Sequence, residues 1–360
     1  MGGGSGTTNL PRPSRRRLLA MAGTLPVAAR AGKLLAAQPP APVAPFTDNP
    51  KLLVAGPADG ALNRWADALQ PALEASLPPD TAIRRVEVGS TDGVTGANQF
   101  EVRSVPDGTT VLLVPGQAAL AWMVGDPRAQ FDAGHWVPVM TGTSSGIVVG
   151  RSGALTNGGR VRVAAASAAS VDLAALIGLQ LLGVPIQPVF GVTDVNVAQT
   201  AFASGAADAV FLHGQRISEQ VAALAVPGAQ PWYTLGVPND SGKPARDPLF
   251  PDVPHFGELY EAHSGRAPSG PLFDAWRAVA AAAQLDFSLV LQQLTPAAMV
   301  ALWRRAGADA AAALPVQVVS NTLGVRLKAA PDITTSTAAT AATLTELRNW
   351  LASQLNWRPA

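Results

Sequence analysis

The feature that most constrains this chain is a repeated alternation of short apolar runs and helical periods, separated by Gly- and Ser-rich loops. Lys51 to Ala55 is an apolar run that ends at a Gly-Pro turn, as a buried strand would. From Leu62 to Leu77, apolar residues at Leu62, Trp65, Ala66, Leu69 and Leu73 follow a helical period. Ile83 to Val88 alternates as a strand, Gly89 to Gly96 is loop, and Ala97 to Val105 suits a short helix. Pro106-Asp107-Gly108-Thr109 signals a turn, with Asp107 and Gly108 as turn formers, and Val111 to Val114, with no polar residue, reads as a strand covered on both faces. Trp136 to Met140 and Ile147 to Val149 are further strands. The order then begins again: strand Val161 to Ala165, a loop with Ser167 and Ser170, helix Val171 to Leu182, strand Pro185 to Phe190, helix Val195 to Ser204, strand Ala209 to Leu212. Recurrence on both sides of about residue 150 predicts two α/β lobes with mostly parallel sheets. Pro238 to Pro271 is rich in Gly and Pro and is expected to wrap the surface. From Leu272 onward the pattern reads as helical, over Leu272–Leu285, Pro296–Leu314 and Leu344–Leu355.

Ahead of this pattern lies a segment with a different character. Gly2 to Gly6 opens it, Ser14-Arg15-Arg16-Arg17-Leu18-Leu19 follows, and a mild apolar stretch runs from Leu18 to Ala29. That stretch contains Gly23 and Pro26 and is too short and weak for a membrane span. The arrangement resembles a twin-arginine export signal, with cleavage either at Ala29-Arg30-Ala31 or near Ala37. The predicted organisation is a signal over 1–37, a Pro/Ala linker over 38–50, a first lobe over 51–147 and about 250–330, and a second lobe over 148–249 and about 331–360.

Composition narrows the function. The 360 residues hold 26 basic and 25 acidic side chains, but residues 1–37 contain six of the basic ones and none of the acidic. The remainder carries 20 basic against 25 acidic, a net charge of −5, or −4 if cleavage after Ala31 leaves Lys33 in place. Such a domain lacks the basic surface that nucleic-acid binding needs. With no cysteine, thiolate metal sites, cysteine nucleophiles, disulfides and a lipoprotein anchor are excluded. His135, His213, His255 and His263 show no metal-ligand spacing and read as structural or exposed. Gly142-Thr143-Ser144-Ser145-Gly146 fits the letters of a nucleophile elbow, but a β-type run, Ile147 to Gly150, follows where a helix is required. Neither a P-loop nor a dinucleotide-binding glycine fingerprint is present in the right context, and no cofactor is implied.

Several segments, taken in order, resemble the substrate-binding proteins of tripartite tricarboxylate transporters. They are Val54 to Arg64 (VAGPADGALNR), Val105 to Leu113 (VPDGTTVLL), Ala165 to Ser170 with Leu173 and Ala174, Pro188-Val189-Phe190-Gly191, Gly205-Ala206-Ala207-Asp208, Asp247 to Pro254 with Glu258, and Gln293-Leu294-Thr295-Pro296. The chain departs from the family pattern at Pro57 (second glycine of the first loop), Gly60 (acidic, although Asp59 is adjacent), Phe190 (tyrosine, with the following lysine missing) and His255 (threonine). The resemblance spans about residues 51–357. It implies a two-lobe periplasmic-binding-protein fold of the Venus flytrap type II class, capture of a small organic carboxylate (mono-, di- or tricarboxylate) by lobe closure, and delivery to membrane subunits in the periplasm.

Backbone N–H groups at helix starts can hold such an anion without a cationic side chain. The candidate ligand groups are therefore Gly56, Pro57, Ala58, Asp59 and Gly60 in the first loop, Ser90 and Thr91 in the next, Ser167 and Ser170 opening the second lobe, and Thr193 and Asp194 before the helix that follows Phe190. Pro57 itself has no N–H to give. Ser170 and Asp194 are equally suited to capping helices, and Arg64 to reaching an anion or lying at the surface. Asp59, Asp92, Asp172 and Asp194 could converge across a cleft. The differently classed alternative is an exported hydrolase, or a sensor or interaction protein, on the same fold.

Overall fold

A computed structural model describes residues 1–4, 46, 48–224, 226–239, 243–330 and 339–358. Residues 5–37 of the expected export signal and most of the linker fall outside these residues. The strands, in chain order, are β1 (Lys51–Val54), β2 (Arg84–Glu87), β3 (Thr110–Val114), β4 (Val137–Thr143), β5 (Gly146–Arg151), β6 (Val161–Ala164), β7 (Ile186–Val189), β8 (Ala209–His213), β9 (Ala229–Thr234), β10 (Val237–Pro238), β11 (Pro244–Ala245), β12 (Leu285–Leu291) and β13 (Arg326–Ala329). The helices are α1 (Ala61–Glu74), α2 (Val94–Arg103), α3 (Gly116–Val124), α4 (Leu173–Leu181), α5 (Val195–Ala203), α6 (Ile217–Ala223), α7 (Phe256–Ser264), α8 (Pro271–Gln284), α9 (Ala297–Ala312), α10 (Leu314–Leu323) and α11 (Ala341–Gln354).

Two main sheets form, ordered β13-β4-β12-β3-β1-β2 and β7-β6-β8-β5-β9. In the first, β1 runs parallel to β2 and β3, while β12 is antiparallel to both β3 and β4. In the second, β6 is parallel to β7 and β8, and β5 is antiparallel to β8 and β9. The chain first passes from one sheet to the other at Ser144-Ser145, both buried.

Period-two alternation assigns each strand's side chains to two separate cores. Val111 and Leu113 of β3, with Leu52 and Val54 of β1, meet Trp65, Leu69, Phe287 and Trp303 under α1 and α9. Leu112, Val114 and Leu53 face the opposite way, against Phe100, Ala97 and Ala118 of α2 and α3. The second sheet divides likewise. Ala209 and Phe211 join the core beneath α4, α8 and α11, while Val210 and Leu212 join the one beneath α5 and α6. Coverage on both faces is why β3 is buried along its whole length and why its sequence contains no charge.

Two stretches depart from the sequence reading. The helical reading from Leu272 onward overlooks β12 and β13. Leu285–Leu291 has apolar residues at Leu285, Phe287, Leu289 and Leu291, a strand period that follows α8 without a break and that the helical period of α8 masks. Pro238 to Pro271 contains α7, started by a capping box in which the His255 side chain accepts from the Gly257 N–H and Glu258 accepts from the His255 N–H.

Close backbone approach fixes how α3 sits on α8. A β-carbon at Gly116 would lie 2.0 Å from the Ala282 carbonyl oxygen, which is helix backbone and cannot move aside. Gly116→Ala should therefore destabilise the protein by about 1–3 kcal/mol. Gly159→Ala, with open space around it, should stay within about 0.5 kcal/mol of the native chain. Urea denaturation midpoints of the two variants test the contrast.

Candidate ligand-binding cleft

A cavity of about 720 Å³ opens where the carboxyl ends of parallel strands from both sheets face each other. From the first sheet come Ala61 and Arg64 of α1, Thr91 and Asp92 before α2, Pro115 and Gln117 after β3, and Leu285 and Asp286 at the start of β12. The second contributes Ala166, Ser167 and Ala169 to Asp172 after β6, Val192 to Val195 after β7, and Val210 to Gln215 at the end of β8. This is the crevice position that open α/β sheets offer a ligand. Side-chain hydrogen bonds cross it: Gln117 Nε2 donates to the Ala169 carbonyl at 3.0 Å, Gln215 Nε2 to Asp286 Oδ2 at 2.9 Å, and Arg64 to the Gln215 carboxamide oxygen.

Of the candidates read from sequence, Thr91, Ser167, Ser170, Thr193 and Asp194 line this cavity, and Gly56, Pro57, Ala58, Asp59, Gly60 and Ser90 are not in its wall. The first loop folds on itself. The Gly60 N–H donates to the Pro57 carbonyl at 2.9 Å, and Asn63 Nδ2 to the same oxygen at 2.6 Å, so the chain first meets the cavity at Ala61. Ser90 Oγ donates to Asp92 Oδ1 at 2.8 Å, while Asp92 Oδ2 receives Arg128 at 2.9 Å. Asp194 caps α5, accepting from the N–H groups of Asn196 and Val197. Ser170 is buried, with Oγ 2.6 Å from Asp172 Oδ2 and 2.9 Å from the Ser167 carbonyl. Phe190 is exposed. Asp92, Asp172 and Asp194 do converge on one cleft, with Asp286 in place of Asp59.

Gln215 and Asp286, which the sequence reading did not name, join Asp172 and His213 in the cavity wall. Leu285 pairs with Thr143 and Phe287 with Gly142, so Asp286 is the extra residue of a β-bulge, unpaired in the ladder. Bulges re-aim side chains, and this one turns Asp286 to the cavity. There its Oδ2 accepts from the Trp65 indole N–H at 2.5 Å and from Gln215. Opposite stands Asp172, whose Oδ2 accepts from the Ala166 N–H at 2.8 Å. His213, the last residue of β8, also lines the cavity and stacks its ring on Phe211 at 5.3 Å.

Burial dominates the electrostatics of this group. It pushes the Asp172 and Asp286 carboxyls above the usual carboxylate range, against the opposing pull of Ser170 and Ala166 on the first and of Gln215 and Trp65 on the second. Burial also lowers the proton affinity of His213, although both carboxylates act in the opposite sense. Arg128 is raised by its hydrogen bond to Asp126 and by Asp92. Ser144 also lines the cavity, but its hydroxyl faces the Gln284 carbonyl at 3.4 Å between two strands, without the strand–turn–helix setting of a nucleophile elbow.

The sequence matches no family model and no curated protein. Solved structures do match. A TctC solute-binding protein from Polaromonas, without ligand, superposes with a TM-score of 0.60 at 15% identity, covering 86% of this chain and 99% of its own. The chain has the two-lobe α/β fold of the periplasmic solute-binding proteins. An adipate-bound protein from R. palustris gives a TM-score of 0.54 at 13% identity, covering 88% and 99%, and the periplasmic binding protein BugD gives 0.52 at 14%, covering 86% and 97%.

A carboxyl with raised proton affinity in the folded state stabilises the fold below its ordinary range and loses that contribution as pH rises through the raised value. Asp172→Asn removes this dependence. Its stability relative to the native chain should improve between roughly pH 5 and pH 8. The lowered His213 reinforces that direction, since loss of the Asp172 charge makes protonating it at acid pH harder still. Urea midpoints at the two pH values provide the check, and an unchanged difference would contradict a raised proton affinity at Asp172.

Proposed function

We propose that this chain is a periplasmic solute-binding receptor. It captures a small organic carboxylate by closure of its two lobes and delivers it to the membrane subunits of a tripartite-tricarboxylate-type transporter. The observation that carries this reading is the cavity between the carboxyl ends of two sheets, walled by loops of both and bridged by side-chain hydrogen bonds, in a fold shared with an adipate-bound protein. Closing such a cleft excludes water and strengthens every polar contact inside it. The Arg15-Arg16-Arg17 segment and its apolar continuation support export by the twin-arginine route, and the absence of cysteine suits a domain exported already folded. Among the described residues no helix is long and apolar enough to cross a membrane.

Within the wall, Arg64 is the group best placed to meet a carboxylate. Among the described residues its hydrogen-bond partner is the neutral Gln215, whereas Arg128 is already committed to Asp92 and Asp126. Thr91, Ser167 and Thr193 present polar groups around the rim.

Thermal melting against mono-, di- and tricarboxylates tests the proposal. A true ligand at 100 times its Kd should stabilise the protein by about 2.7 kcal/mol. Arg64→Ala should weaken that ligand by about tenfold or more, the worth of a charge-assisted hydrogen bond. Unchanged melting with every carboxylate, together with turnover of an ester or amide, would replace the receptor reading with an enzymatic one.

A further inference from the structure

The charges around the cavity are not matched. Four carboxylates line it, from Asp92, Asp172, Asp194 and Asp286, against the guanidinium groups of Arg64 and Arg128. Asp92 is paired with Arg128, which it shares with Asp126, and Asp194 is spent on capping α5. What remains is Arg64 on one side and Asp172, Asp286 and His213 on the other. Asp172 is only 8% exposed, and Asp286 Oδ1 receives no hydrogen bond from any described residue. Neither ring nitrogen of His213 has a hydrogen-bond partner among the described residues, and none is within ion-pairing distance of a carboxylate, although both aspartates exert their charge on the ring. All three line the cavity, and among the described residues nothing hydrogen-bonds the His213 ring or Asp286 Oδ1. Their arrangement does not meet the requirements of a metal site among the described residues.

A polyanion here would face the carboxylates of buried Asp172 and half-buried Asp286, a repulsion whose cost grows as the dielectric falls. A protonated amine reverses the sign and supplies three N–H donors to carboxylate and imidazole acceptors. The anionic and cationic subsites are close neighbours, because one carboxamide joins them: Gln215 accepts from Arg64 through Oε1 and donates to Asp286 through Nε2. That spacing suits a head group whose carboxylate and ammonium share one carbon.

We propose that the cleft selects an α-amino carboxylate, with its carboxylate on Arg64 and its ammonium among Asp172, Asp286 and His213. The proposal rests on the receptor reading above and narrows it. A site built around a donor it must satisfy rejects the analogue that lacks that donor, because its own polar groups are then left unpaired.

Calorimetric titration with matched pairs separates the two levels of the claim: succinate and aspartate, glutarate and glutamate, adipate and 2-aminoadipate. At one chain length or more, the amino compound should bind at least about tenfold tighter than its partner. Asp286→Asn should shrink that preference, and Asp172→Asn should do the same, so that failure of either variant to fold leaves the other as the test. Plain dicarboxylates binding as tightly as their amino counterparts, or tighter, would overturn the amine subsite and leave the receptor reading standing. No binding by any of the six to protein with intact circular dichroism would overturn the amine subsite, and the receptor reading falls with it only if the mono- and tricarboxylates also leave melting unchanged.

Discussion

The cleft depends on the path of one strand. Leu285–Leu291 follows α8 without a loop and enters the first sheet antiparallel, between β3 and β4. That insertion buries Phe287 against Trp65 at 4.7 Å and, through the bulge at its first turn, leaves Asp286 facing the cavity. Trp65 then serves both purposes, its ring in the core and its indole N–H on the Asp286 carboxylate. Moving the strand by one residue would reverse its faces, putting Asp286 and Ser288 where Phe287 and Leu289 now pack. The same register that fills the core therefore sets the charge in the cleft.

Around this strand the two sheets are held by different means. Apolar burial on both faces of each sheet supplies most of the stabilisation, and it is non-directional. Direction at the cleft comes from hydrogen bonds whose partners lie far apart in sequence, such as Gln117 to Ala169, Arg64 to Gln215, and Gln215 to Asp286. The carboxylates of Asp172 and Asp286 are costly to bury and are only partly compensated by their neighbours, so a bound solute that satisfies them would stabilise the closed arrangement.

Much of this was legible in the sequence and some was not, for identifiable reasons. The two-lobe α/β architecture followed from period-two and period-3.6 runs repeating on both sides of residue 150, and strands such as Val111–Val114 stood out because both faces are apolar. β12 escaped because α8 leads straight into it with no Gly or Pro between them, so Leu285 reads as the end of a helix and the alternation of Phe287, Leu289 and Leu291 falls unassigned between two helical runs. Thr91, Ser167, Ser170, Thr193 and Asp194 could be named because loops before helices recur at strand ends. Asp172, His213, Gln215 and Asp286 carry no motif: they meet only in three dimensions, and His213 sits at the end of an apolar strand, where a structural role is the ordinary reading. The Gly56–Gly60 loop looked like a ligand loop from its glycines, yet those residues close a turn onto Pro57.

The central claim is that the two lobes close over a solute in the cleft between their sheets. Because the chain contains no cysteine, spin labels can be placed wherever two are introduced. Val102 on α2 and Val197 on α5 are exposed, at 70% and 40%, on elements of the first and second sheet respectively. Pulsed electron–electron distance measurement on the Val102→Cys, Val197→Cys protein, with and without carboxylates and amino carboxylates, reads the lobes directly. The account predicts a shorter and narrower distance distribution with at least one of these solutes. A distribution unchanged by all of them would contradict it.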